Sequence, residues 1–270
     1  MRLRPTARRL VKGVLREAAA VFFGGPSHNP IGPRILCYHG VSEKPPDEWS
    51  VTPAQLREQM AIVCGEGSPV SLPQIVSWLL DGSSLPERAI AVTFDDGYTD
   101  VYHQAAPILA MQRVPATAFV ISGLVDGKSR DDSYHPTRPL LTWDEIRSLS
   151  RSGWTIGSHT LSHPVLAQQT PSESRRELLE SRQRLTEVLG SDVNLLAYPY
   201  GTRRTVSQRD RRFAQDAGYR AAFLDAIGAV SRGDDRFALP RCKVLGSDSL
   251  RVFRASLSGQ LDVWRRIEDR

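Results

Sequence analysis

Two carboxylates and two imidazoles stand in two short stretches, Ala91-Val-Thr-Phe-Asp-Asp-Gly-Tyr98 and, some sixty residues on, Ser158-His-Thr-Leu-Ser-His-Pro164. Asp95, Asp96, His159 and His163 together suit metal-assisted hydrolysis. Two His and one Asp can hold a divalent ion with positions left open, and the other Asp can take a proton from water. Apart, each stretch is ordinary, since Asp-Asp-Gly is a common surface turn and His-x-x-x-His a common polar helix face. What joins them is that each follows a short apolar run of β-favouring residues, Ala91 to Phe94 and Trp154 to Ser158, which places all four groups where strand meets loop. Barrel enzymes keep their chemistry at such strand ends. Successive side chains alternate in an extended chain, so one Asp can face a metal while its neighbour faces substrate or water. The spacing of the two His puts both imidazoles on one face if the segment makes a helical turn.

The elements that must position these residues alternate along the chain. Arg34 to Tyr38, Ala89 to Phe94, Ala116 to Ile121, Trp154 to Ser158, Asn194 to Tyr198, Arg220 to Leu224 and Phe237 to Val244 are short and apolar, as strands are. Ser174 to Leu189 spaces Leu178, Leu185, Val188 and Leu189 at helical intervals. A βα series of this kind predicts a parallel sheet with helices outside, either a barrel or an open doubly wound sheet. Asp126 to Pro139, with Gly127, Pro136 and Pro139, reads as a long rim loop, and Trp143 as packing the helix that follows it.

With these residues the chain resembles the polysaccharide deacetylase family, also called the NodB-homology domain or carbohydrate esterase family four, from about Arg34 to Val244. Thr93-Phe-Asp-Asp-Gly97 is similar to the first motif of that family, which implies Asp95 as catalytic base and Asp96 as metal ligand. His159-Thr-Leu-Ser-His163 is similar to the second, which implies two further metal ligands. Tyr198-Pro-Tyr-Gly201 resembles the third, where the backbone N–H of Tyr200 would help bind an oxyanion. The resemblance also implies a distorted seven-stranded (β/α) barrel. Two departures stand out. The third motif commonly begins with an Arg that pairs with the catalytic Asp, and this chain has Ala197 there. The last motif commonly supplies a general-acid His, and this chain has Arg241 in Leu239-Pro-Arg-Cys242. Arg241 could steady Asp95 in place of the missing Arg, although a basic residue ending a strand is more often a surface ion pair. For the acid, Cys37-Tyr-His-Gly-Val41 offers His39 at the end of the first predicted strand, similar to family members that carry an early Tyr-His-x-Val element.

The resemblance implies removal of an N-acetyl or other N-acyl group from an amino sugar in a polysaccharide, oligosaccharide or lipid-linked sugar. By ligand type the metal is expected to be zinc, with cobalt or nickel also compatible. O-acetyl ester hydrolysis, hydrolysis of a non-sugar amide, and a catalytically degenerate glycan-binding module are the alternatives.

Composition sets the remaining bounds. A chain of 270 residues, 40% of them hydrophobic, can bury one large core. The sequence divides into a basic extension at 1–33 and a catalytic domain at 34–270. The net charge of +5 owes much to clusters in Met1 to Arg16 and Arg203 to Arg212. The first cluster, interleaved with Leu10, Val14, Val21 and Phe22, is too short to span a bilayer and makes a poor signal peptide. It predicts peripheral contact of residues 1–30 with an anionic membrane surface, and no nucleic-acid partner is expected. Cys37, Cys64 and Cys242 are odd in number and read as buried free thiols, which fits a reducing, cytoplasmic setting, the inner membrane surface included.

Overall fold

The computed structural model describes residues 16–17, 32–125 and 138–264. The expected amphipathic segment at 1–30, apart from residues 16 and 17, and nearly all of the Asp126 to Pro139 loop lie outside these residues. The strands are β1 (Arg34–Tyr38), β2 (Gly40–Val41), β3 (Ser50–Val51), β4 (Ser68–Pro69), β5 (Ala89–Phe94), β6 (Ala116–Val120), β7 (Thr155–Ser158), β8 (Leu195–Ala197), β9 (Ala221–Phe223) and β10 (Cys242–Lys243). The main helices are α1 (Pro53–Glu66), α2 (Leu72–Asp81), α3 (Ala106–Met111), α4 (Trp143–Arg151), α5 (Pro171–Leu189), α6 (Gln208–Asp216) and α7 (Leu250–Ser258).

Seven of the strands run parallel in the order β10-β1-β5-β6-β7-β8-β9, curled into a half-barrel, and β4 pairs with the lower end of β5. This is the expected seven-stranded βα architecture, with helices between strands. The strands read as continuous apolar runs because both of their faces are covered. Leu36, Tyr38, Val92 and Phe94 pack in one core cluster with Leu56, Met60 and Val63 of α1, while Ile35, Ala91, Phe119, Ala197 and Phe223 pack in another. That alternation has a consequence for the site: Asp95 continues the phase of Ala91 and Thr93, on the side away from α1.

Register brings the strand ends together. β1 and β5 pair from Arg34↔Ile90 to Tyr38↔Phe94, and the Asp95 N–H donates to the Tyr38 carbonyl at 2.9 Å, so His39 and Asp95 leave adjacent strands side by side. β6 and β7 pair as far as Val120↔Ser158, and the His159 N–H donates to the Val120 carbonyl at 2.8 Å, which sets His159 on the same rim.

The sheet does not close. β9 and β10 do not pair; the segment leading into β10 meets β9 at the isolated Phe223↔Leu239 bridge. The expected strand Phe237 to Val244 is therefore reduced to Cys242–Lys243, since Pro240 has no N–H to offer a ladder. Helix α5 starts three residues before the predicted Ser174 because Thr170 caps it, in a reciprocal box with Glu173, and Pro171 suits the first turn. Trp143 opens α4, as expected, behind the capping Thr142.

Candidate active site

Asp95 lies on the lumen side and is 3% exposed. Its carboxylate accepts two parallel hydrogen bonds from Arg241, Nη1 to Oδ1 at 2.7 Å and Nη2 to Oδ2 at 2.6 Å. Arg241 is fully buried, and its guanidinium also donates to the Leu224 carbonyl at 3.1 Å and to Thr93 Oγ1 at 3.2 Å. The ordinary expectation for a basic residue at a strand end, a surface ion pair, is overturned: this is a fork-to-fork pair inside the barrel. Burial pushes the Asp95 carboxyl up, but the Arg241 charge, with His159 and the hydrogen bonds, outweighs it and holds the group at about 2. Burial pushes the Cys37 thiol well above its usual range, so it stays protonated and its Sγ–H lies 3.5 Å from Asp95 Oδ2.

Asp96 follows with a left-handed φ of 68°, which turns its side chain away from that of Asp95. The two carboxylates thus face different partners, Asp95 the Arg241 guanidinium and Asp96 the two imidazoles. Asp96 Oδ1 lies 3.4 Å from Nε2 of both His159 and His163, and the three side chains are almost wholly buried. Burial opposes ionisation of Asp96, and the two imidazoles outweigh it, holding the carboxyl well below the usual range. His159 Nδ1 is 2.7 Å from the Ala197 carbonyl. Only a protonated Nδ1 can make that bond, and it fixes the ring with Nε2 toward Asp96.

The two imidazoles do not meet through a helical turn. The segment after β7 is a tight loop in which Thr160 and His163 take left-handed φ values of 66° and 65°. Three groups hold this conformation. The Thr160 N–H donates to Ser158 Oγ at 3.2 Å, the His163 N–H donates to Thr160 Oγ1 at 3.1 Å, and Glu177 of α5 takes the rest. Glu177 accepts the Leu161 N–H at 2.9 Å, the Ser162 N–H at 2.8 Å and the Ser162 hydroxyl at 2.7 Å. Glu177 is absent from the sequence-based site. The only signal for it is a Glu on the first turns of a helix downstream of the His pair.

The donor chemistry of Asp96, His159 and His163 fits a divalent ion: one carboxylate oxygen and two imidazole nitrogens lie within 4.8 Å of one another. Cys37, His39 and Asp95 also converge within 4.8 Å. There the Arg241 guanidinium already supplies the cation, so the first group is the better place for a metal. His39 is half-buried at the end of β1, its ring 5.6 Å from that of Trp49, and its buried Nδ1 has no hydrogen-bond partner among the described residues. Tyr200 sits on the same rim, 48% exposed, with φ of 60° and its ring 4.9 Å from that of His163. The structure thus gathers all six residues singled out in the sequence. A larger groove, of about 980 Å³, lies at the opposite end of the strands beside Ala116 and Trp154, away from these groups. Of the three cysteines, Cys37 and Cys242 are buried as expected, but Cys64, on α1, is exposed.

An open parallel βα barrel with carboxylates and imidazoles gathered at the strand ends defines a class, and comparison with known proteins gives the family. The polysaccharide deacetylase family model matches residues 82–222, and the chain belongs to that family. The Bacillus subtilis (strain 168) protein YxkH is 28% identical over 211 residues, covering 78% of this chain and 70% of its own. The poly-beta-1,6-N-acetyl-D-glucosamine N-deacetylase of Escherichia coli (strain K12) is 26% identical over 254 residues; the match takes in 81% of this chain but 37% of that protein. Among solved structures, the Streptococcus pyogenes deacetylase PplD superposes with a TM-score of 0.74 at 24% identity, over 84% of this chain and 99% of its own, a likeness of fold.

Proposed function

We propose that the protein is a metal-dependent hydrolase that removes the N-acetyl group from an amino sugar within a glycan. The observation that carries this reading is the buried Arg241–Asp95 pair set against the Asp96, His159 and His163 cluster, a fixed base beside a ready ligand set. Asp96, His159 and His163 would hold the ion, zinc by donor type. When bound, a divalent ion there supplies Lewis acidity toward the amide oxygen and toward water.

The residues of the chain do the rest. Asp95, held ionised near neutral pH by Arg241, takes a proton from the attacking water as its oxygen bonds to the acyl carbon. Arg241 keeps that carboxylate aimed, and the N–H of Tyr200 donates to the developing oxyanion. As the C–N bond breaks, His39 gives a proton to the departing nitrogen. The products are acetate and a free amine. The missing third-motif Arg has a substitute in Arg241, and this favours catalysis over the alternative of a degenerate glycan-binding module. The E. coli relative makes β-1,6-linked N-acetylglucosamine oligomers the first substrates to try. Metal-loaded enzyme should release acetate and amine in equal amounts, and a chelator should stop it; no release from N-acetylated glycans by metal-replete protein would refute the reading.

In the same proposal the protein works in the cytoplasm at a membrane surface, a reading supported by the basic segment at 1–30 and the free thiols. Among the described residues no helix is long and apolar enough to cross a bilayer; the attachment proposed for residues 1–30 is peripheral. Removing residues 1–30 should abolish salt-sensitive co-sedimentation with anionic vesicles, and equal sedimentation of both forms would exclude it.

A further inference from the structure

Cys37 takes no part in the reaction described above, yet it lies against it. It stands two residues before His39 on β1, so the two side chains fall on the same side of that strand, the side facing the lumen. On β5, Thr93 pairs with Cys37, and Asp95 follows two residues on in the same phase. A thiol, an imidazole and a carboxylate thereby converge, their ligand atoms within 4.8 Å of one another and Cys37 Sγ 3.5 Å from Asp95 Oδ2.

Each of the three keeps capacity for a further bond. A carboxylate offers about four lone-pair sites, and Arg241 takes one on each oxygen of Asp95. The buried Nδ1 of His39 has no hydrogen-bond partner among the described residues. The Cys37 thiol is fully buried and makes a weak contact to the carboxylate. His39, half-buried, leaves an approach from the rim.

Thiolate, imidazole and carboxylate are a zinc set, and the thiolate selects against the harder magnesium and calcium. An ion bound there displaces the thiol proton to solvent, and the new Zn–Sγ bond places a negative charge beside the Arg241 guanidinium. That charge offsets part of the repulsion between guanidinium and ion. The remainder makes this the weaker position. Asp96 faces two imidazoles instead, so its cluster fills first. We propose that Cys37, His39 and Asp95 form a second, inhibitory zinc site, which takes the base and the general acid out of the reaction when zinc is in excess. The inhibition rests on the deacetylase reading above; the binding does not.

The probe is the metal alone. Full-length protein carrying Cys64→Ser, which removes the exposed thiol, is the parent for every variant and is titrated with cobalt(II). Cobalt bound to thiolate has a near-ultraviolet charge-transfer band that imidazole and carboxylate ligands do not give. The band should be absent through the first equivalent, grow through the second, and vanish with Cys37→Ser, which keeps the size of the side chain. With His159→Ala the band should appear from the first equivalent, the other site being lost. In zinc titrations against a chromogenic chelator, Cys37→Ser should weaken the second ion by more than about 100-fold, beyond the cost of losing a merely supporting group, with the first ion unchanged. Turnover of the parent should fall by roughly 10²-fold or more as the second zinc binds, as loss of base and acid does, and Cys37→Ser, whatever its starting rate, should show no such fall. No band at two equivalents, a band that survives Cys37→Ser, or a band that fills with the first equivalent in the parent would overturn the site; a band without loss of turnover would overturn the inhibition. A parent that hydrolyses nothing yet shows the Cys37-dependent band defeats the deacetylase reading and leaves the second site standing.

Discussion

A carboxylate inside a barrel needs a partner, and at the residue scale the Arg241–Asp95 pair decides what Asp95 can do. Its two short bonds keep the base ionised and aimed. Removing one partner leaves a buried charge uncompensated, so Arg241→Ala should destabilise the fold by about 3–5 kcal/mol. It should also raise the Asp95 pKa, because burial then acts unopposed by the guanidinium, and the acid limb of the kcat/KM profile should move to higher pH. Arg241→Lys, which keeps the charge and loses the fork, should fall between. A folded Arg241→Ala enzyme with wild-type melting and an unmoved acid limb would contradict this role. His39→Ala should lower kcat by roughly 10²- to 10⁴-fold with metal content unchanged, as loss of a general acid does; near-normal turnover would remove His39 from the chemistry. The sequence made Asp95, Asp96 and the two histidines legible because each ends an apolar strand. The Arg241 contact was only a possibility there, since it joins residues 146 apart and local pattern says nothing about which strand closes on which.

Among the elements, α5 does work that its sequence conceals. Glu177 and Ser181, one turn apart, both face the histidine loop: Glu177 takes the three donors described above, and Ser181 Oγ lies 2.8 Å from Ser158 Oγ and 2.9 Å from Ser122 Oγ. Glu177→Ala should free the loop to leave its left-handed conformation and weaken metal binding by roughly 10- to 100-fold, as loss of groups supporting the ligands commonly does. A competition titration with a chromogenic chelator measures this without turnover, and an unchanged affinity in folded protein would make Glu177 structural only. The helix itself was legible from its spaced Leu and Val. The loop was not, because a His-x-x-x-His spacing also fits a helical turn, and the left-handed residues Thr160 and His163 carry no glycine to announce them. Likewise Phe237 to Val244 has the apolar content of a strand, yet only Cys242 and Lys243 form a strand and Leu239 makes an isolated bridge.

Over the whole molecule, the parallel half-barrel brings groups from β1, β5, β7 and β8 to one rim, and the residue beside β10 closes beneath them. The far end of the chain has its own ionisable lock. Asp248, just before α7, is 7% exposed and accepts the Leu245 N–H at 3.0 Å and Arg16 Nη2 at 3.0 Å. Burial outweighs those partners and pushes its carboxyl up to about 6. An unfolded Asp titrates near ~3.9, so between about pH 4 and 6 the folded state binds more protons. Stability from this group is therefore gained as pH falls through that window and lost as pH rises through about 6. Asp248→Asn should melt higher than the wild type near neutral pH, by up to roughly 2–3 kcal/mol, with the gap closing by about pH 4. A gap that does not change with pH would contradict it.

The central claim is the division of labour between neighbours, Asp95 as base and Asp96 as ligand. Metal-to-protein ratio and turnover, measured together on Asp95→Asn and Asp96→Asn, test it most directly. Asp95→Asn should keep about one divalent ion per chain and lose nearly all turnover, while Asp96→Asn should lose both. An Asp95→Asn enzyme stripped of metal beside an Asp96→Asn enzyme that retains it would contradict the account.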